Sequence, residues 1–271
     1  MEFNLINALI LLAAGGVAGV AAGFAGVGGG IVLVPVLLEL LRAWGLPRES
    51  VVQAAMGTSL AVAFVTTVSA AWRHHRQRLV LWRLVVPIVP ASMLGGWLGS
   101  ELAARTDGRV LQALLAAALL YASVRLVRQR EPGGDATGLP IRSVWIWAAI
   151  GLGVGVFSGM SGLAGGVVLI PALALVGKVP GRYLAATSAG VILFTALAAA
   201  VGYMRHGPAA GSLGDGFVGF TCLPASACLA VTSVPFAQVG ARLNKRTSGV
   251  AFRRVFAAIM VVVVARLVAT L

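Results

Sequence analysis

Acidic residues are scarce in this chain of 271 residues, in which eight Asp and Glu stand against 21 Lys and Arg and charged residues make up only 11%. A soluble domain carries about 25% charged residues, so the composition excludes a water-exposed globule. Long polar–apolar alternation is also missing, which excludes an outer-membrane barrel. The two cysteines, Cys222 and Cys228, predict neither a disulfide framework nor a metal site.

Apolar residues dominate instead, at 59% of the chain with a mean hydropathy of +0.96. Uncharged stretches longer than the ~20 residues needed to cross a bilayer occur at 51–72, 143–177, 183–204 and 216–241. They predict an all-α polytopic membrane protein. The net charge of +13 lies in short loops, where it indicates membrane orientation and contact with the lipid bilayer rather than nucleic-acid binding.

A glycine-rich element occurs twice. Residues 23–35 are GFAGVGGGIVLVP and residues 159–171 are GMSGLAGGVVLIP, so a shift of 136 positions superimposes Gly26 on Gly162 and Pro35 on Pro171. Thr58–Ser59 repeats as Thr187–Ser188 at a shift of 129, and Gly99 repeats as Gly240 at 141. The sequence therefore predicts two transmembrane repeats, 1–128 and 143–271, joined by the polar linker 129–142.

Each repeat contains five apolar segments. In the first they are 5–25, 30–41, 51–72, 79–100 and 109–126, and in the second 143–159, 165–176, 183–204, 216–241 and 251–268. The second segment of each is too short to span, since about a dozen residues reach only ~18 Å. We expect it to form a glycine-tipped hairpin with the first, which enters and leaves on the same side whether it dips halfway or crosses twice, followed by three full spans. An even hairpin plus three spans gives an odd number of crossings, which predicts that the repeats are inverted.

The basic loops agree with inversion. The two richest in arginine, 73–83 and 242–254, fall on the same face only if the second repeat is inverted. Placing both in the cytoplasm, with 125–142 and 178–182, puts the N- and C-termini outside.

Inverted repeats bring the two glycine tips together from opposite faces. Non-helical backbone at membrane depth is tolerated only where it is buried in protein or lines a polar cavity. The same helix break in both repeats indicates a transporter's binding site. The first-turn amides after each tip are unpaired and lie at the positive end of a helix dipole, which favours an anion. The predicted binding residues are Gly26, Gly28, Gly29, Gly30, Gly162, Gly165 and Gly166. Four other glycines, Gly19, Gly23, Gly151 and Gly155, are spaced for close helix packing instead.

Hydroxyl groups complete the predicted site. Thr58, Ser59, Thr187 and Ser188 can donate to an oxyanion, although a back-bond to the preceding turn is the alternative. His74 and His206 are either interfacial loop residues or a gate or proton relay. No Asp or Glu lies centrally in a full span, which argues against a cation substrate. No metal site or cofactor is expected, and the sequence leaves the oligomeric state open.

One motif suggests a different chemistry. Gly159-Met160-Ser161-Gly162 has the G-x-S-G form found in intramembrane serine proteases, with His206 as the base. The first repeat has Ala25 where the second has Ser161. The duplication therefore keeps the glycines and not the nucleophile, and we expect no enzyme.

With GFAGVGGGIVLVP, AAMGTSLAV, WRHHRQRLVLW and SGLAGGVVLIP, the chain resembles the sulfite exporter TauE/SafE family over nearly its whole length. One departure is Ala186 before Thr187, where the first repeat has Gly57. The resemblance implies movement of sulfite, organosulfonates or related anions across a bacterial inner membrane. The prediction is a secondary transporter, an exporter, of a small sulfur-containing anion. An anion channel, an intramembrane enzyme using Ser161 and a non-transporting scaffold are the alternatives.

Overall fold

The computed structural model describes residues 5–25, 28–128, 143–207 and 213–246, together with 261, 264, 265 and 267. Within these residues, six helices are long and apolar enough to cross a membrane. They are α1 (Leu5–Ala25), α3 (Val51–Arg76), α4 (Trp82–Ala104), α6 (Val144–Ser161), α8 (Gly181–Arg205) and α9 (Leu223–Arg246). The prediction of an all-α polytopic membrane protein is confirmed.

Two short helices follow the glycine-rich elements. α2 (Gly30–Ala43) has 14 residues and α7 (Gly166–Leu175) has 10. At ~1.5 Å per residue they reach about 21 Å and 15 Å, against a hydrocarbon core of about 30 Å. Both agree with the predicted short segments. α5 (Gly108–Arg128) is the last helix of the first half.

The predicted span at 216–241 is wrong at its start. Phe217–Val218 (β1) and Thr221–Cys222 (β2) form a small antiparallel strand pair, and α9 begins at Leu223. Cys222 therefore lies in a strand and does not share a span with Cys228. The linker 129–142 and most of the predicted last segment, 251–268, lie outside the described residues.

The strand pair belongs to an insertion in the second half. Residues 77–81 connect α3 to α4, whereas residues 206–222 connect α8 to α9. The second connection is twelve residues longer, which equals the change of the repeat shift from 129 to 141.

Glycine seams join the two halves. α1 packs along α9, and α4 packs along α6. A side chain added at Gly19 would collide with the backbone of Ser233, and one added at Gly155 with the backbone of Ser92. Because α1 corresponds to α6 and α9 to α4, the two seams are repeat counterparts. The predicted packing role of these glycines is confirmed.

Contacts along the seams fix helix direction. Gly15 lies against Leu229 and Gly23 against Ala237, so α1 and α9 run in parallel. Thr66 bonds to Ser233 and Ser69 to Val234, so α3 runs in parallel with α9 as well.

The other three spanning helices form a second parallel group. Gly151 lies against Ile88 and Gly159 against Ser100, which aligns α4 with α6. Leu81 bonds to Thr187 and Ser92 to Thr195, which aligns α4 with α8.

The two groups run in opposite directions. Tyr203, near the end of α8, contacts Met56 near the start of α3. Thr187, near the start of α8, lies beside the loop that follows the end of α3. α3 and α8 are therefore antiparallel, although they occupy corresponding positions in the two halves.

Candidate functional site

The two glycine tips have the same backbone geometry. Gly29 and Gly165 directly precede α2 and α7, in left-handed conformations with φ of 76° and 79°. Gly28 (φ 78°) and Gly162 (φ 70°) share this conformation, and Ala164 adopts it at φ 57°. Such angles favour glycine, because a Cβ clashes with the following carbonyl. The consecutive glycines thus end one helix and start the next within a few residues.

The tips touch each other in the protein interior. A Cβ added at Gly28 would lie 2.6 Å from the Cβ of Ala164. One added at Gly30 would lie 2.6 Å from the Gly162 carbonyl oxygen. All four residues are buried. The predicted meeting of the two elements is therefore present, whereas Gly26 lies outside the described residues.

Backbone amides without an acceptor among the described residues collect at this contact. The carbonyl of Gly29 accepts from Val32 and Leu33 at 3.1 and 3.2 Å, and that of Gly165 accepts equivalently in α7. The amides before them, those of Gly30, Ile31, Gly166 and Val167, have no acceptor in the described part of the chain. In a helix such first-turn amides point back past the N-terminus. No ionisable side chain lies in residues 28–31 or 162–167.

The two threonines have matching backbone partners. The Thr58 hydroxyl accepts from the Cys222 amide at 3.0 Å, and the Thr187 hydroxyl accepts from the Leu81 amide at 3.2 Å. The first bond connects α3 to the strand just before α9, and the second connects α8 to the loop just before α4. Sequence reasoning missed this role, because the partners are more than 100 residues apart.

One of the two serines contacts a tip. The Ser59 hydroxyl donates to the carbonyl of Gly162 at 3.1 Å, from one half of the chain to the other. Ser188, its counterpart, is buried and also has a partner. Ser59 thus fixes the end of α6 rather than pointing into open space.

The histidines are not equivalent. His74 is fully buried in α3, with Nε2 3.3 Å from the carbonyl oxygen of Gly23. His206 follows α8, is partly exposed, and its Nδ1 lies 2.9 Å from the Gly202 carbonyl oxygen. The shift of 129 makes Tyr203, not His206, the repeat counterpart of His74. Tyr203 donates to the carbonyl of Gly159 at 2.8 Å. Applying the threonine shift to His74 would have identified this residue.

Ser161 and His206 do not form a nucleophile–base pair. The Ser161 hydroxyl donates to the Phe157 carbonyl at 2.7 Å, in its own helix. Burial also raises the pKa of the Cys222 thiol, which makes it a poor nucleophile. Among the described residues no group of three or more His, Cys, Asp or Glu could hold a metal ion.

The chain is similar to known membrane proteins over most of its length. A family model described as sulfite exporter TauE/SafE matches residues 11–267. A probable membrane transporter protein of Haemophilus influenzae is 26% identical over 257 residues, covering 94% of this chain and 96% of the relative. A probable membrane transporter protein of Methanocaldococcus jannaschii is 24% identical, with 92% and 91% covered. One from Xylella fastidiosa is 29% identical over 202 residues, with 73% and 74% covered. No solved structure matches this chain.

Proposed function

This chain belongs to the sulfite exporter TauE/SafE family and is a multi-pass membrane transporter, and on that premise we propose that it is a secondary transporter for a small sulfur-containing anion. We propose sulfite or an organosulfonate as the solute, export as the direction, and the inner membrane of a bacterial cell as the location. The observation that carries the proposal is the contact between two glycine tips whose first-turn amides have no acceptor among the described residues.

The chemistry of the tips favours an anion. Amides at two helix N-termini donate hydrogen bonds and present the positive ends of two dipoles. A cation would need carboxylates, yet the helices that form the tips, α1, α2, α6 and α7, carry only one described acidic residue, Glu39. Glu39 lies 4.0 Å from Arg42 near the far end of α2. The tip amides therefore bind the oxyanion in this proposal.

The proposed site uses both backbone and hydroxyl groups. The backbone of Gly26, Gly28, Gly29, Gly30, Gly162, Gly165 and Gly166 surrounds the solute. Thr58 and Thr187 each accept one hydrogen bond and retain a proton to donate. Ser59 holds the second tip through the Gly162 carbonyl, and both Ser59 and Ser188 can turn to the solute as the tips separate. His74 and His206 are gate or relay candidates at opposite ends of the antiparallel α3–α8 pair.

The route of transport rests on inverted repeats. The opposite directions of α3 and α8, and the matching seams α1–α9 and α6–α4, support a two-fold relation between the halves. In such folds one repeat rocks against the other around a fixed midplane site. Here the tips are in contact with no open space between Gly28 and Ala164. Rocking would separate them towards one face at a time.

A binding screen on the purified protein tests the solute class. Sulfite, isethionate and taurine are compared with chloride, acetate and phosphate by the shift in unfolding temperature. A ligand at 100-fold above its Kd stabilises by about 2.7 kcal/mol. We expect stabilisation by the sulfur-containing anions and none in Gly165→Val. If only phosphate or acetate stabilises the protein, the proposed sulfur-containing solute is contradicted.

A further inference from the structure

A matched pair of side chains bonds to the last turn before each glycine tip. His74 in α3 contacts the Gly23 carbonyl, and Tyr203 in α8 contacts the Gly159 carbonyl. The shift of 129 that relates Thr58 to Thr187 relates His74 to Tyr203, and the shift of 136 relates Gly23 to Gly159. Each carbonyl lies within one turn of the end of α1 or α6.

Local backbone contacts support this correspondence. The Leu79 amide donates to the carbonyl of His74 at 3.1 Å, and the Phe220 amide donates to the carbonyl of Tyr203 at 3.0 Å. The two side chains therefore occupy the same place in the two halves, each about 12 Å of helix beyond Thr66 or Thr195. They flank the tips from opposite ends.

The two side chains differ in what they leave unpaired. The Tyr203 hydroxyl has its acceptor, and its ring stacks edge-on against Phe220 at 6.4 Å between centroids. His74 has a second nitrogen, Nδ1, which is buried and has no partner in the described part of the chain. A neutral imidazole has one donor and one acceptor nitrogen, so a buried Nδ1 is an unused proton-binding site.

Among the described residues, the elements around His74 carry almost no fixed negative charge. α1 has no ionisable residue among those described, and α6 has none. Apart from Glu39, the described charged residues on α3, in the loop after it and on the elements packed against it are cations: Arg73, Arg76 and Arg78 at the His74 end of α3, Arg42 in α2, Arg109 in α5, Arg182 and Arg205 in α8, and Arg242 in α9. Tyr183 and Tyr203 in α8 and Cys222 in β2 are the other titratable groups, and the His75 ring bonds to the Trp82 indole.

Glu39 in α2 is the only described carboxylate on the helices and strands that contact α3, and it lies near Arg42. A buried imidazolium needs a negative partner. We infer that His74 binds a proton together with the transported anion, which supplies the missing negative charge, so that one proton and one anion occupy the tip region at the same time.

The inference rests on the proposed anion transport and adds its coupling ion. The proton enters the Nδ1 lone pair when the anion binds and returns to water when the anion leaves. Because binding and protonation are linked, each strengthens the other by the same factor. Tyr203 does not take up a proton near neutral pH, so the coupling belongs to one half of the molecule only.

Isethionate is a suitable probe, because its sulfonate does not titrate near neutral pH. Its Kd for the full-length protein in detergent is measured from about pH 6 to pH 8, around the usual histidine pKa of about 6.5. Titrations in buffers of different ionisation enthalpy give the protons bound per anion. We expect the wild-type Kd to rise by up to about tenfold per pH unit, with close to one proton taken up per anion at the upper end.

Three variants assign the effect. His74→Tyr places the residue of the other half, Tyr203, at this position. His74→Gln keeps a hydrogen-bond donor for the Gly23 carbonyl without a titrating group. Both should bind isethionate with a Kd that does not change with pH and with no proton uptake. Tyr203→Phe removes the matched hydrogen bond and should keep the pH dependence.

The outcomes are separable. Wild-type binding that does not change with pH, or pH dependence that persists in both His74 variants, overturns the role of His74 and leaves anion transport standing. Isethionate, sulfite and taurine all failing to bind at any pH overturns the proposed solute class, and the inference falls with it.

Discussion

At the scale of single residues, the glycine tips are tested by adding side chains. Gly29→Val and Gly165→Val place Cβ atoms at 2.9 Å from the Ala18 carbonyl oxygen and 2.8 Å from the Val154 side chain, at positive φ. We expect both to abolish transport while the protein still purifies as a single species. Gly45 has the same φ (79°) with nothing within 4 Å of its Cβ, so Gly45→Ala controls for backbone strain alone. Normal flux in the tip variants would reduce the glycines to a packing role.

The two threonines should affect stability as well as binding. Thr58→Val leaves the Cys222 amide without its acceptor, and Thr187→Val does the same to the Leu81 amide. A buried donor left unsatisfied costs about 1–3 kcal/mol. We expect lower unfolding temperatures for both variants without solute, and the half-buried Thr106→Val, which loses only a bond to the Leu102 carbonyl, should stay near wild type. Unchanged stability in the two buried variants would contradict the assigned hydrogen bonds.

Ser161 should be dispensable for transport. Its hydroxyl bonds within α6 and to the Leu163 amide at 3.4 Å, and Ala25 holds its place in the first half. Ser161→Ala is expected to keep its flux in proteoliposomes within about twofold of wild type, since the two neutral hydrogen bonds that are lost both lie within the end of α6 and the residues that follow it. Complete loss of activity in a well-folded variant would restore the nucleophile hypothesis.

At the scale of helices, the seams carry the association of the two halves. Gly155 faces the backbone of α4, whereas Gly153 in the same helix has nothing within 4 Å of its Cβ. We expect Gly155→Leu to destabilise by about 1–3 kcal/mol or more through overpacking. Gly153→Leu is the matched control, and thermal unfolding in detergent measures both. Equal stability of the two variants would contradict the seam.

Sequence predicts those elements whose cause is local. Consecutive glycines dictate left-handed backbone, so the start of α2 at Gly30 and of α7 at Gly166 lies within a residue of its expected place. Continuous apolar runs likewise predict the positions of the spanning helices α1, α3 and α8. The strand pair before α9 was missed, because three of its four residues are apolar and continue the apolar run. Gly214, Gly216 and Gly219, which adopt positive φ, are the sequence signs that the helix does not start until Leu223.

The site is less predictable, because its contacts join distant parts of the chain. Sequence indicated that Thr58 and Ser59 matter, but whether a hydroxyl turns to solute or to the Cys222 amide depends on how α3 packs. His206 was paired with His74 by residue type, whereas the repeat register selects Tyr203. The hydrogen bond from Tyr203 to Gly159 can be predicted only when the shift of 129 is applied to His74 and the shift of 136 to Gly23.

At the scale of the whole molecule, the inverted repeat is tested by topology. Cysteines at Gly134 and Gly211, in a background with Cys222 and Cys228 removed, are labelled with an impermeant maleimide in intact cells and in inverted vesicles. Both positions lie outside the described residues. We expect labelling from opposite faces, with Gly134 accessible from the cytoplasm, because the two repeats are predicted to be inverted. Labelling of both from one side would contradict the inverted arrangement.

The central claim, that two glycine tips form a carrier site for a sulfur-containing anion, is tested most directly by counterflow. Proteoliposomes loaded with unlabelled sulfite are diluted into radiolabelled sulfite. A carrier that alternates access exchanges the two, so we expect labelled sulfite to rise transiently above its external concentration, and no rise with Gly165→Val. Uptake without such an overshoot would indicate a channel, and an overshoot that survives in Gly165→Val would place the site elsewhere.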